Sequence, residues 1–268
     1  MMCRPPILRP WPYLLAGIAM FVAGAQAQPA VVPHAASYEL TLHPSARGGE
    51  VAAVKGRLEV RLDLSCDGWQ LEHSLGFRML TDDGAALEHL AHLSGFEDRD
   101  GSDFVFNTRT WEDRELVERI AGVARRDGPG PRVRYSLPEA ALEDLPPDTI
   151  FPGQHLEELL AAARAGKRGL MRTVFDGSTA NNPFQVSSWF GTAQPAGAQA
   201  PPALAGRTAW PVRLAYYPAH AVEPQAQFEM SVLLYDNGVA GDMVYDYGEF
   251  AIDVRLVELE MLLAPKCP

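Results

Sequence analysis

The sequence is poor in cysteine, with three in 268 residues. It is also short of positive charge: 23 Lys and Arg face 34 Asp and Glu, for a net charge of −11. A field of that sign repels nucleic acid and anionic membrane surfaces, so neither is an expected partner. No apolar run reaches the ~20 residues that cross a bilayer as a helix. The zinc-protease pattern H-E-x-x-H and the nucleophile elbow G-x-S-x-G are both absent, and the seven histidines are scattered rather than set at ligand spacing. No repeat period is visible. Helical periodicity is scarce too, being plain in one stretch only.

The N-terminus carries Arg4 and Arg9 with no acidic residue, then an apolar run from Trp11 to about Ala23, then Ala25-Gln26-Ala27. That order predicts a secretory signal peptide over 1–27, cleaved between Ala27 and Gln28. Its apolar run is too short for a membrane anchor, and Cys3 precedes the run, so it is not a lipoprotein acylation site. Removing 27 of 268 residues leaves 241, with 21 basic and 34 acidic side chains and a charge of −13. Cys66 and Cys267 then remain in an oxidising compartment, where two thiols usually pair; two buried free cysteines are the alternative. No histidine lies close enough to either to suggest a metal site, and no cofactor is implied.

After a lead over 28–35, alternating segments follow one another. In GRLEVRLDL, Leu58, Val60, Leu62 and Leu64 take one side and Arg57, Glu59, Arg61 and Asp63 the other, which predicts a strand with one wet face. Cys66 continues the apolar phase and is expected to point inward. CDGW reads as a turn and WQLEHSLGFRML as the returning strand. Further strands are expected over Ala85–Phe96, Ser102–Trp111 and Leu116–Arg125, joined by DDG, EDRDGSD and EDRE. RRDGPGPR is a loop by composition, followed by a short strand, VRYSL. Downstream, DNG between two β-rich runs predicts a hairpin, and the Ala/Pro-rich stretch 193–206 a mobile surface loop. In FAIDVRLVELEML the apolar set switches parity after Leu256, as a β-bulge would require, although the second half also fits a helix.

TIFPGQHLEELLAAARAGKR predicts the single main helix, over about 152–165. Pro152 suits a first turn, and Leu156, Leu159, Leu160 and Ala163 form an apolar stripe. Glu157 and Glu158 lie toward the N-terminal end, Arg164 and Lys167 toward the other, and Gly166 stops it. A helix of ~21 Å is marginal alone and must dock its stripe on an apolar surface, such as the concave face of a curved sheet. His155 within it and Asp176 in FDGS are the candidate catalytic residues, each weaker than its plain reading: a hydrogen-bonded helix-start histidine and an ordinary Asp-Gly-Ser turn. His89 and His92 are three apart on one strand and face opposite sides.

SCDGW after an alternating strand, LPPDTIFPGQHLEELLAAARAGKR leading to VFDGS, and a cysteine at the extreme C-terminus together resemble the cell envelope integrity protein B family of the α-proteobacterial periplasm, long known as a domain of unknown function. The resemblance implies a mainly β, single-domain fold over 36–268: a long bent antiparallel sheet, a β-spiral, wrapped around one helix and closed by a Cys66–Cys267 disulfide, similar to periplasmic lipoprotein carriers. It also implies a role in envelope integrity under stress, with no catalytic residues to carry over. The leading expectation is therefore a non-catalytic periplasmic protein that engages another envelope protein. The alternative is a carrier of an acyl chain or lipoprotein in the concave apolar face, with the helix as a lid and Leu156, Leu159 and Leu160 lining the pocket. A hydrolase using Asp176 or His155 is third. An apolar cavity of ~300 Å³ would favour the carrier, converging polar groups the enzyme, and a filled core with an exposed apolar patch the scaffold.

Overall fold

Alternation sets the architecture. Strand β2 (Val51–Leu64) turns Leu58 and Leu62 into the core and Arg57, Glu59 and Arg61 out to water. Its neighbours β1 (His34–Leu42) and β3 (Gly68–Thr81) repeat the pattern on either side. A computed structural model describes residues 31–44, 50–128, 130–219 and 225–267; the expected signal segment and its cleavage site lie outside the described residues. The described residues form one domain built on a single 15-stranded antiparallel sheet that stays open, with one α-helix among them.

The first arm of the sheet continues through β4 (Ala86–Asp98), β5 (Asp103–Glu112), β6 (Glu115–Arg125), β7 (Arg132–Leu137) and β8 (Ala141–Asp144). The chain then forms helix α1 (Pro152–Arg164) and re-enters the sheet at its opposite end as β9 (Gly169–Val174). Next come β10 (Phe184–Phe190), β11 (Gln194–Pro195), β12 (Thr208–Pro218), β13 (Phe228–Tyr235), β14 (Ala240–Asp246) and β15 (Ala251–Met261), and β15 pairs with β1 to join the two arms. The two ends also meet. Ile150, just before the helix, bridges Val174, and Phe175 enters an aromatic cluster with Phe104, Phe106, Tyr135 and Phe151. The turn after β9 is fastened to the first arm: Thr108 Oγ1 donates to the Gly177 carbonyl over 2.6 Å, and Glu118 Oε1 accepts from Thr179 and Ala180. The concave face thus encloses α1, and the main core lies between them.

The parity switch in the last strand is a bulge. Ser37 pairs with Glu258 and Tyr38 with Leu256, so Val257 is the extra residue. The segment is strand throughout, not helix.

Several details differ from the sequence reading. β1 begins at His34, and Val31 is buried, so 31–35 is not a loose lead. The stretch 193–206 is pinned by β11 pairing with β12 and by fully buried Leu204, which packs on Ala209, Tyr235 and Val239; composition hides one leucine anchor among small residues. The Pro-rich approach to the helix contains β8. Cys66 is exposed rather than inward, because β2 ends at Leu64 and the alternation ends with it. It is bonded to Cys267, with Cα atoms 5.5 Å apart. That bond clasps the β2–β3 turn to the segment after β15 across the start of β1, so it lies mid-sheet and does not close the spiral's ends.

Candidate functional site

Helix α1 starts with Pro152 and ends as its sequence demands: Gly166 takes φ +66° and Lys167 N–H donates to the Ala162 carbonyl. Its beginning is unusual. Phe151 at the N-cap offers no side-chain acceptor and the first turn holds no acidic residue, so Glu157 and Glu158 lie too far along to complement the dipole as expected. The cap comes from β4 instead. Glu97 Oε2 accepts from Gly153 N–H over 2.5 Å and Oε1 from Gln154 N–H over 3.0 Å. A Cβ at Gly153 would lie 2.9 Å from that carboxylate, so glycine permits the approach. By sequence Glu97 belongs to the connecting turn EDRDGSD; in the structure it is a strand residue, 4% exposed. Burial pushes its carboxyl up to about 7, against the two N–H donors, which hold it down; Glu157 adds to the rise and Arg126 opposes it. Arg126 also donates to the Thr149 carbonyl over 2.7 Å and stands over the Phe151 ring.

The buried face of α1 is wider than the leucine stripe and includes His155 and Ala162. Leu160 is fully buried in the main core. Leu159 and half-buried Leu156 instead line a cavity of about 280 Å³ between the helix and the sheet. Its walls are apolar side chains from both arms, among them Leu58, Leu62, Trp69, Val212, Leu214 and Met243. The polar groups on its wall are largely committed: Tyr38 donates to the Ala240 carbonyl over 2.8 Å, His34 Nδ1 lies 2.8 Å from the Val32 carbonyl, and Glu97 caps the helix.

A second cavity, of about 310 Å³, shares Leu71, His73, Pro152, Leu156 and Leu159 with the first. Here the structure brings together the two candidate catalytic residues, His155 and Asp176, with Ser178 and Tyr216. Burial holds His155 down to about 4, opposed by Glu158 and assisted by Arg172. Burial likewise lowers His73 to about 4, with His92 adding to it. Tyr216 is raised, by burial first and by Asp176 second. Asp176 is oriented by its own turn: its N–H donates to Asn182 Oδ1 over 2.8 Å and its Oδ1 accepts from Ser178 N–H over 2.9 Å. His155 Nε2 makes no hydrogen bond among the described residues, so it is not paired with Ser178 or Asp176 as a base is paired with a nucleophile. The sequence offered both residues but no reason to join them across 21 positions and a helix–strand connection.

His89 and His92 do face opposite sides. His89 stacks on Phe77 at 5.0 Å on the inner side, and His92 Nδ1 lies 2.8 Å from Ser74 Oγ on the outer. Among the described residues no group of three or more His, Cys, Asp or Glu could hold a metal ion, and no helix is long and apolar enough to cross a membrane.

A family profile described as EipB-like matches residues 25–263. Cell envelope integrity protein EipB of Brucella abortus (strain 2308) is 30% identical over 251 residues, covering 91% of this chain and 89% of that protein. The crystal structure of a β-barrel-like protein of a domain of unknown function from Brucella abortus superposes with a TM-score of 0.79 at 29% identity, over 87% of this chain and 98% of that one.

Proposed function

Because the chain belongs to the EipB-like family, we propose that it supports cell envelope integrity as a non-catalytic periplasmic protein that binds an apolar chain between its helix and its sheet. The observation that carries this reading is the cavity of about 280 Å³ whose wall is apolar side chains from α1 and from both arms of the sheet. Such a space stays poorly hydrated when its polar groups are already satisfied, so an acyl chain entering it displaces little ordered water and gains contact with the lining. The single helix is the movable wall. It is held at its start by Glu97, and it contacts strand β9 through Arg172, whose Nε donates to Glu158 over 2.5 Å.

A second reading, the engagement of another envelope protein, is favoured by the sheet's open end. Strand β9 pairs with β10 along its length; its other edge is paired only at the end, where Ile150 bridges Val174, and it exposes Met171 (55%) close to Trp189 (50%) on its neighbour. A largely unpaired edge beside exposed apolar side chains is a surface to which a partner strand can add.

Native mass spectrometry of the protein released gently from its own envelope separates the two. An adduct of a few hundred daltons, lost on denaturation, is the expected result. An adduct of protein size with no small-molecule adduct would transfer the conclusion to the partner reading. A bare chain that also takes up no added decyl-chain amphiphile would overturn the carrier.

A further inference from the structure

The apolar cavity ends against a second one whose wall, apolar for the most part, also carries a cluster of polar side chains, and the contrast between them specifies a ligand. In the second cavity His155 is 7% exposed and its Nε2 has no hydrogen-bond partner among the described residues. A buried nitrogen left unpaired is destabilising, and a bound ligand's hydroxyl would recover that loss. Around it stand four further polar residues: Asp176, Ser178, Tyr216 and His73. The walls shared with the apolar cavity, Leu156 and Leu159 above all, place this cluster where the end of a chain lying in that cavity would emerge.

We propose that this second cavity seats the uncharged, hydroxyl-bearing head of an amphiphile whose apolar chain lies in the adjoining cavity. The inference rests on the carrier reading above and adds the chemistry of the head. A carboxylate only accepts hydrogen bonds, a phenol both donates and accepts, and a neutral imidazole nitrogen does one or the other. Hydroxyl groups match all three at once, donating to Asp176 and exchanging with Tyr216 and His155. An anionic head would set acceptor against acceptor and charge against charge at Asp176, a juxtaposition that costs several kcal/mol when water is excluded. A cationic head would satisfy Asp176, but it would have to lose its hydration beside His73 and His155, both held neutral by burial.

Three probes with the same chain test this: 1-decanoylglycerol, decanoate and decylammonium, titrated calorimetrically below their micelle concentrations into the wild type and Asp176→Asn. The wild type is expected to bind the glyceride about tenfold or more tighter than either charged probe. Asp176→Asn should shrink the gap between glyceride and decanoate, since it removes the repulsion and adds an amide donor. Equal binding of all three, or a gap unchanged in the variant, overturns the head site while leaving the apolar cavity as the chain's site. Tighter binding of decylammonium overturns the uncharged head. Failure of all three to bind overturns the carrier reading as well.

Discussion

Glu97 shows how much a single residue can do when it arrives from outside its neighbourhood. It is buried on β4, yet it holds the start of a helix 56 positions on. Its folded carboxyl titrates at about 7 against an ordinary 4.5. Below about 4.5 the group is neutral both folded and unfolded. Between the two values only the folded chain holds the proton, so this contribution to stability is present at low pH and is lost as pH rises toward 7. Urea unfolding across pH should therefore show the wild type losing a few kcal/mol relative to Glu97→Gln between about pH 4.5 and 7. A constant difference between the two would show that burial does not act on Glu97 as described. His73 and His155 work the other way, since burial lowers them; their contribution is lost as pH falls from 6.5 toward 4. Comparing wild type with the Gln variant isolates the carboxyl from them. Nothing in the sequence marks Glu97: one acidic residue in EDRDGSD looks like turn chemistry, and its partners lie beyond four further strands and a loop.

At the scale of the element, α1 was legible because its information is local. Pro152, the i, i+3, i+4, i+7 leucine pattern and Gly166 all act within a few residues, and they place the helix at Pro152–Arg164. The bulge at Val257 was legible for the same reason, as one missed beat in a period of two. What the stripe could not show is that its leucines do different work. Leu160 is fully buried, whereas Leu156 is a half-buried cavity wall. Leu160→Ala should cost about 2–5 kcal/mol in unfolding free energy, as a large-to-small change in a packed core does. Leu156→Ala, beside space that is already empty, should cost clearly less while weakening binding of a decyl-chain probe. Equal stability losses for the two would mean that the cavity closes in solution.

At the scale of the whole molecule, the sheet grows outward in both directions from β1 and β15, and α1 carries the chain from one end to the other. The disulfide acts on this architecture at its middle, linking residues 201 positions apart across β1. A cross-link closing so long a loop restricts the unfolded chain strongly, and it is expected to contribute about 2–4 kcal/mol. Cys66→Ser combined with Cys267→Ser should lower the melting temperature, and reductant should bring the wild type down to the double variant. Both sulfurs belong to exposed residues, so reductant has access to the bond. A melting curve indifferent to reductant would show that the bond carries no stability.

The fold class, most strand faces and the helix with its boundaries were legible in the sequence. These follow from periodicities of 2 and 3.6, which reside in neighbouring residues. Only the tertiary structure decided that the two arms meet around the helix, that Glu97 caps it, and that His155 and Asp176 share one cavity beside an apolar one. Those facts depend on how far the sheet twists and coils before its ends touch, a sum of small rotations over many strands that no short stretch of sequence encodes.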